Sequence, residues 1–119
     1  MADRNPTGSD PSVALDIPTD HHAFLRSVFE TAREGIQGDL ADFPERLREP
    51  ERLRREEAAY GRLLAALDAG VIVPDRDVRC VLGRLARVID AANDFERVLF
   101  EHRAICRLLV QVDPAGGQC

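Results

Sequence analysis

The chain has 119 residues, of which 45% are hydrophobic and 31% are charged, and this length fits a single globular domain. A formal net charge of -5 argues against a dedicated nucleic-acid-binding protein, and no apolar run approaches the ~20 residues that a membrane-spanning helix needs. All 16 basic residues are arginine, so mechanisms that depend on a lysine amine are excluded.

Residues 1–18 are rich in proline and small polar residues, which predicts a flexible arm ahead of the folded domain. Within it, Val13, Leu15 and Ile17 alternate with polar residues, a pattern that suits a segment lying in a groove. The arm is expected to end where helical periodicity begins.

A first helix is predicted over residues 20–36, because apolar residues recur there at helical spacing. Thr19 or Asp20 can cap its N-terminus, since their side-chain oxygens accept hydrogen bonds from the free amides of the first turn. Gly35 and Gly38 predict the end of this helix, and residues 37–43 are expected to form a connection. The expected apolar stripe comprises Phe24, Leu25, Val28, Phe29, Ala32 and Ile36.

A second helix is predicted over residues 50–69, after a short turn at 44–49. Pro50 is tolerated in a first turn, and Gly70 is well placed as a left-handed terminator. The short apolar run at 71–73 has no visible partner strand, so we interpret it as a packed loop between helices. The expected buried face of this helix comprises Leu53, Tyr60, Leu64 and Leu67.

A third helix is predicted from Asp75, a good N-cap residue, to residue 112. Apolar residues occupy nearly all a and d positions over five consecutive heptads, as in a coiled coil. At 1.5 Å per residue this helix would be roughly 55 Å long, against roughly 30 Å for the second helix. The heptad residues are Val78, Val81, Leu85, Val88, Ala92, Phe95, Leu99, His102, Cys106 and Leu109.

The expected fold is therefore all-α: a three-helix bundle with a long C-terminal helix, a flexible N-terminal arm over 1–18, a helical domain over 19–112 and a frayed tail over 113–119. Because the third helix would overhang the second, the first helix must cover it in a monomer, or a second copy must cover it in a dimer. We favour the dimer. The residues expected at the interface are Leu85, Val88, Phe95, Leu99, Cys106 and Leu109.

This reasoning predicts a small non-enzymatic module for protein–protein interaction, whose partner is a second copy of the chain or another helical protein. The charge run over residues 45–57 contains many arginines, but interleaved glutamates neutralise it, as in the pairs Glu51–Arg55 and Arg52–Glu56. Nucleic acid is therefore an unlikely partner. A DNA-associated regulatory protein is retained only as an alternative.

Histidine and cysteine residues provide no evident metal site, and we expect neither a metal nor a cofactor. His102 and Cys106 lie one helical turn apart, which suits two ligands, but a site needs three or four. His21 and His22 are adjacent, point in different directions on a helix, and are expected at a solvated helix start. The odd number of cysteines and the lack of a recognisable secretion leader predict a reducing, cytoplasmic location.

Arg97 and His102 form an R-x-x-x-x-H pattern in the last predicted helix. This pattern resembles the core motif of the HEPN ribonucleases, which are all-α domains of comparable length. The resemblance implies a metal-independent ribonuclease in which Arg97 and His102 act together on the scissile phosphate. The family usually has Asn or Asp after the arginine, whereas this chain has Val98. Structural roles for both residues are the alternative, and we adopt them.

Overall fold

A computed structural model describes residues 12–42, 49–90 and 95–113, with only the backbone described at 90 and 95–99. These residues are mostly helical, which confirms the all-α class. The helices are α1 (Thr19–Asp42), α2 (Pro50–Ala69), α3 (Arg76–Asp90) and α4 (Phe95–Val112), and two short strands are β1 (Val13–Ala14) and β2 (Val71–Ile72).

The helices α1 and α2 run antiparallel, and so do α2 and α3, as the ion pairs between them show. Arg26 near the start of α1 pairs with Asp68 near the end of α2, and Arg84 of α3 pairs with Glu56 of α2. The helix α4 folds back along α3, so that its C-terminal end lies beside β1, where Arg107 Nη2 is 2.9 Å from Asp16 Oδ2. The four helices enclose one apolar core.

Both ends of α2 confirm the sequence prediction. The helix begins at Pro50, and Gly70 terminates it with a φ of 78°, donating its backbone N–H to Ala66 O. The start of α3 is also confirmed, because Asp75 Oδ1 accepts a hydrogen bond from the Val78 amide at 2.9 Å. Of the predicted buried face of α2, Tyr60 and Leu67 are buried, whereas Leu53 and Leu64 are only partly so. The remaining buried positions of α2 are Glu56, Ala59, Leu63 and Ala66.

The helix α1 is longer than predicted, since it continues through Gly35 and Gly38 to Asp42. Glycine weakens a helix interior by about 1 kcal/mol relative to alanine but does not forbid it, and neither glycine has a positive φ. The extension is tied to α2, because Gln37 Nε2 donates to Glu57 Oε2 at 2.9 Å. Arg33 donates to the same oxygen at 2.7 Å, and this hydrogen bond lowers the pKa of the Glu57 carboxyl.

The single long helix predicted from residue 75 to residue 112 is wrong, because α3 and α4 are separate helices. The residues between them, 91–94, lie outside the described part of the chain. Over the described side chains of α4, residues 100–112, the predicted overhang is not found. The apolar face of α4 is covered within the chain, where Ala104, Ile105, Leu108 and Val112 are buried.

The segment predicted as a loop between α2 and α3 contains β2, which pairs with β1 in antiparallel register, Val13 opposite Ile72 and Ala14 opposite Val71. The partner strand lies in the predicted arm, which is why a search of neighbouring sequence missed it. Leu15 extends the pairing by donating its amide to Gly70 O at 2.8 Å. The rest of the arm (1–11), the last residue of the predicted connection (43), most of the predicted turn (44–48) and most of the tail (114–119) lie outside the described residues.

Candidate functional site

The apolar stripe of α3 is covered over its first half and open over its second. Val78, Val81 and Leu82 are completely buried. One turn later, Leu85 and Ile89 are only half-buried, and Val88 is 62% exposed. The sequence pattern is the same in both halves, so the difference arises from what packs on each. An uncovered part of such a stripe is a candidate interaction surface.

The open half of α3 faces α1 across a groove of about 420 Å³, which we call the α1–α3 groove. Five of its lining side chains are apolar, two are small hydroxyl residues and one, from α4, is a carboxylate. The lining residues are Phe24, Ser27, Val28, Thr31, Ala32, Leu85, Ile89 and Glu101. The described side chains that line the groove include no cysteine, histidine or arginine, so their chemistry favours burial of apolar surface over catalysis.

Two exposed apolar side chains flank the α1–α3 groove. Val88 stands on α3 beside Leu85 and Ile89, and Phe100 of α4 is 38% exposed. The Phe100 ring lies edge-on to that of Phe24, with the ring centroids 5.8 Å apart, so it is continuous with the groove. We use the term groove surface for the α1–α3 groove together with Val88 and Phe100.

The structure brings two of the six predicted interface residues, Leu85 and Val88, to the groove surface. The side chains of Phe95 and Leu99 lie outside the described residues. The other two lie elsewhere on α4: Leu109 packs against the core, and Cys106 lines a separate depression beside Asp16 and Arg107. The helical spacing of Phe24 and Val28 identified them as apolar but could not show that they stay open.

The two candidate catalytic residues do not form a described site. The side chain of Arg97 lies outside the described residues, and His102 is half-buried, with its Nε2 atom 3.4 Å from Cys106 Sγ. No group of three or more potential metal ligands occurs in the described ranges.

The two histidines at the start of α1 differ from the expected solvated pair. His21 is buried, with its ring edge-on to Phe100 at 5.3 Å between centroids, and its Nδ1 has no hydrogen-bond partner. His22 is half-buried and its Nε2 lies 2.9 Å from Leu67 O. The prediction was wrong because the first turn of α1 packs against its neighbours, with His21 on Phe100 of α4 and His22 on Leu67 of α2.

The charge run is only partly a solvated helix face. The predicted pair of Arg52 and Glu56 is present, with Arg52 Nε 3.6 Å from Glu56 Oε2. Glu51, however, pairs with Arg54 at 2.9 Å rather than with Arg55. The Glu56 side chain is only 9% exposed, because it faces α3.

Comparison with known proteins gives no relative for this chain. No protein family matches it, and neither a curated protein nor a solved structure is significantly similar. Among the described helices, none combines the length and the apolar character needed to cross a membrane.

Proposed function

We propose that this protein is a non-enzymatic interaction module that forms a homodimer through its groove surface. The observation that carries the proposal is the open half of the α3 stripe, where Leu85 and Ile89 line a groove beside the exposed Val88. Burial of apolar surface is the main driving force of most protein association, at roughly 25 cal/mol per Å².

A second copy of the chain is the occupant that this surface fits best. A two-fold interface uses the same patch on both copies, so the patch must contain both a depression and a protrusion. The groove supplies the depression, and Val88 and Phe100 supply the protrusions on its margins. In a two-fold pair, Val88 of each copy would cover Leu85 and Ile89 of the other.

The charge distribution is compatible with self-association at this surface. The chain has a net charge of -5, which disfavours close approach of two copies. Among the described side chains that line the groove, Glu101 is the only ionisable one, so few of the described charges would be desolvated there. Repulsion between the copies is then long-range and screened by salt, and we expect dimerisation to strengthen as the salt concentration rises.

The test compares two matched valine substitutions. Val88 and Val110 are 62% and 63% exposed, and each stands two residues before the end of its helix. Val88→Glu places a carboxylate in the proposed interface, whereas Val110→Glu places one on α4 away from it. In sedimentation equilibrium we expect the wild-type chain and Val110→Glu to dimerise and Val88→Glu to remain a monomer.

A chain that stays monomeric at millimolar concentration would overturn the homodimer and leave another helical protein as the candidate occupant. Equal loss of dimer in both variants would show that added charge, rather than the groove surface, controls association. Circular dichroism of all three proteins checks that the helices are intact.

A further inference from the structure

Four arginines from two helices line one small pocket on the side of α3 that faces α2. Arg52 and Arg55 come from α2, and Arg76 and Arg84 come from α3. The pocket has a volume of about 140 Å³, and we call it the arginine pocket. Its remaining lining residues are Glu56, Asp77 and Cys80.

The buried carboxylate of Glu56 holds two of these arginines in place. Arg84 Nη1 donates to Glu56 Oε2 at 2.7 Å, and Arg52 Nε lies 3.6 Å from the same oxygen. A guanidinium group has five N–H donors, so these contacts leave most donors of both arginines available. Glu56 is therefore a counter-ion that positions the guanidinium groups without occupying them.

The other two arginines of the pocket have no counter-ion of their own. The side chains of Arg55 and Arg76 make no hydrogen bond or ion pair within the described part of the chain. Elsewhere, by contrast, arginines are commonly paired with a carboxylate, as are Arg26, Arg33, Arg54, Arg62 and Arg107. Among the described residues, four guanidinium groups and two carboxylates line the pocket, and the Glu49 carboxylate outside it lies 3.9 Å from Arg52, so a surplus of positive charge remains in a small space.

From this arrangement we infer that the arginine pocket binds the phosphate group of a small molecule. The planar fork of a guanidinium group matches phosphate oxygens with two parallel hydrogen bonds, and a phosphate monoester carries a charge of about -1.5 to -2 at neutral pH. That charge balances the surplus in the pocket. A volume of 140 Å³ is well below the roughly 300 Å³ of an ordinary ligand pocket, so the pocket takes the anionic group and leaves the rest of the ligand outside.

A long nucleic acid fits the same surface less well. Binding along a phosphate backbone requires a row of unpaired positive charges. Arg54, which lies beside the pocket on α2, is paired with Glu51, and the whole chain is acidic. Arg87 and Arg103 also have no ion pair in the described part of the chain but lie outside the pocket, whereas the pocket brings four arginines together, which favours a single phosphate over a polyanion.

The test is a titration with inorganic phosphate that is monitored through the NMR signals of the arginine Nε–Hε groups. A titration with potassium chloride at equal ionic strength is the reference. We expect saturable shifts at the four pocket arginines with phosphate and not with chloride. The double variant Arg55→Gln/Arg76→Gln should bind phosphate at least about tenfold more weakly, because it removes two charge-assisted donors.

The matched control is the double variant Arg87→Gln/Arg103→Gln. These arginines also have no ion pair in the described part of the chain, lie outside the pocket, and give the same change in net charge when replaced. We expect this control to bind phosphate with wild-type affinity. The single variant Arg55→Gln replaces the double variant if circular dichroism shows loss of helix.

A parallel titration with adenosine monophosphate distinguishes the source of the phosphate. If adenosine monophosphate binds more tightly than inorganic phosphate, the ligand is an organic monoester. If it binds equally or more weakly, the ligand is the free phosphate ion. Equal weakening in both double variants, or shifts spread over all arginines without saturation, would overturn the inference. So would binding of a DNA duplex without saturable binding of phosphate.

Discussion

The two halves of α3 carry the same kind of apolar stripe but have different surroundings. The first half is enclosed by α2 and by the buried face of α4, and its apolar residues Val78, Val81 and Leu82 are completely buried. The second half faces α1 across the groove and leaves Val88 exposed. The difference teaches that a helical apolar stripe predicts which residues share a face, while the tertiary fold decides how much of that face remains open for a partner.

The largest expected effect comes from equal truncations in the two halves. Leu82→Ala removes a fully buried side chain and leaves a cavity, so we expect a loss of about 2–5 kcal/mol in the free energy of unfolding. Leu85→Ala removes a half-buried side chain at the groove and should cost about 1 kcal/mol. Urea unfolding at a dilution where the chain is monomeric measures both.

A cost for Leu85→Ala as large as that for Leu82→Ala would contradict the comparison, because it would mean that the second half of α3 is also closed. At high protein concentration, the proposed dimer adds a further loss for Leu85→Ala that Leu82→Ala does not share.

The enclosed part of the molecule also gives a pH prediction at Tyr60, which packs against Phe29 with the rings 6.1 Å apart. Burial raises the pKa of Tyr60 to about 12, helped by the Glu56 carboxylate and opposed by Arg84. Since the unfolded chain has the ordinary tyrosine pKa of about 10, stability should be complete below pH 10 and fall as the pH rises towards 12. This difference in pKa between the folded and the unfolded chain corresponds to at most ~3 kcal/mol in the free energy of unfolding.

The composition makes this titration unusually clean. The chain has one tyrosine and no lysine, so no other side-chain type has an ordinary pKa between 10 and 12. Tyr60→Phe should abolish the decline in thermal midpoint over that range. A decline that persists in this variant would show that another group is responsible.

The sequence predicted those parts of the fold that depend on local chemistry. Pro50, Gly70 and Asp75 define helix ends through a fixed φ, a left-handed conformation and a side-chain cap, and all three act where expected. The pairing of β1 with β2 could not be predicted, because it joins residues far apart in the chain. The division between α3 and α4 was missed because the heptad pattern continues on both sides of residues 91–94.

The candidate site was predicted less completely than the fold. Leu85 and Val88 emerged from periodicity, but the opposite wall of the groove belongs to α1, and Phe24 and Val28 could not be assigned to it without the helix arrangement. Likewise, the sequence of α2 predicts that glutamates neutralise Arg52 and Arg55. The two arginines that join them in the pocket come from α3, so the sequence of α2 alone could not reveal the pocket. Both sites depend on tertiary neighbours that a single helix does not reveal.

The next effect in size concerns the polar contact between α2 and α3. Glu56→Gln weakens the charge-assisted hydrogen bond from Arg84 to a side chain that is 9% exposed, and should cost about 1–2 kcal/mol. Glu51→Gln makes the same change in a pair with Arg54 whose carboxylate is 78% exposed, and should cost less than about 0.5 kcal/mol. Equal costs in urea unfolding would show that the Glu56 contact contributes no more than a surface pair.

The smallest expected effect tests α1, which forms one wall of the groove. No atom lies within 4 Å of the position that a Cβ would take at Gly35, so Gly35→Ala should stabilise the protein by about 0.5–1 kcal/mol by reducing the freedom of the unfolded chain. Gly70→Ala meets equally open space but has a φ of 78°, so it should destabilise the protein. Because both substitutions add the same methyl group, opposite signs in thermal unfolding isolate the backbone conformation as the cause. A loss of stability in Gly35→Ala would mean that α1 does not continue as a helix through this position, and the groove would then lack its α1 wall beyond Ala32.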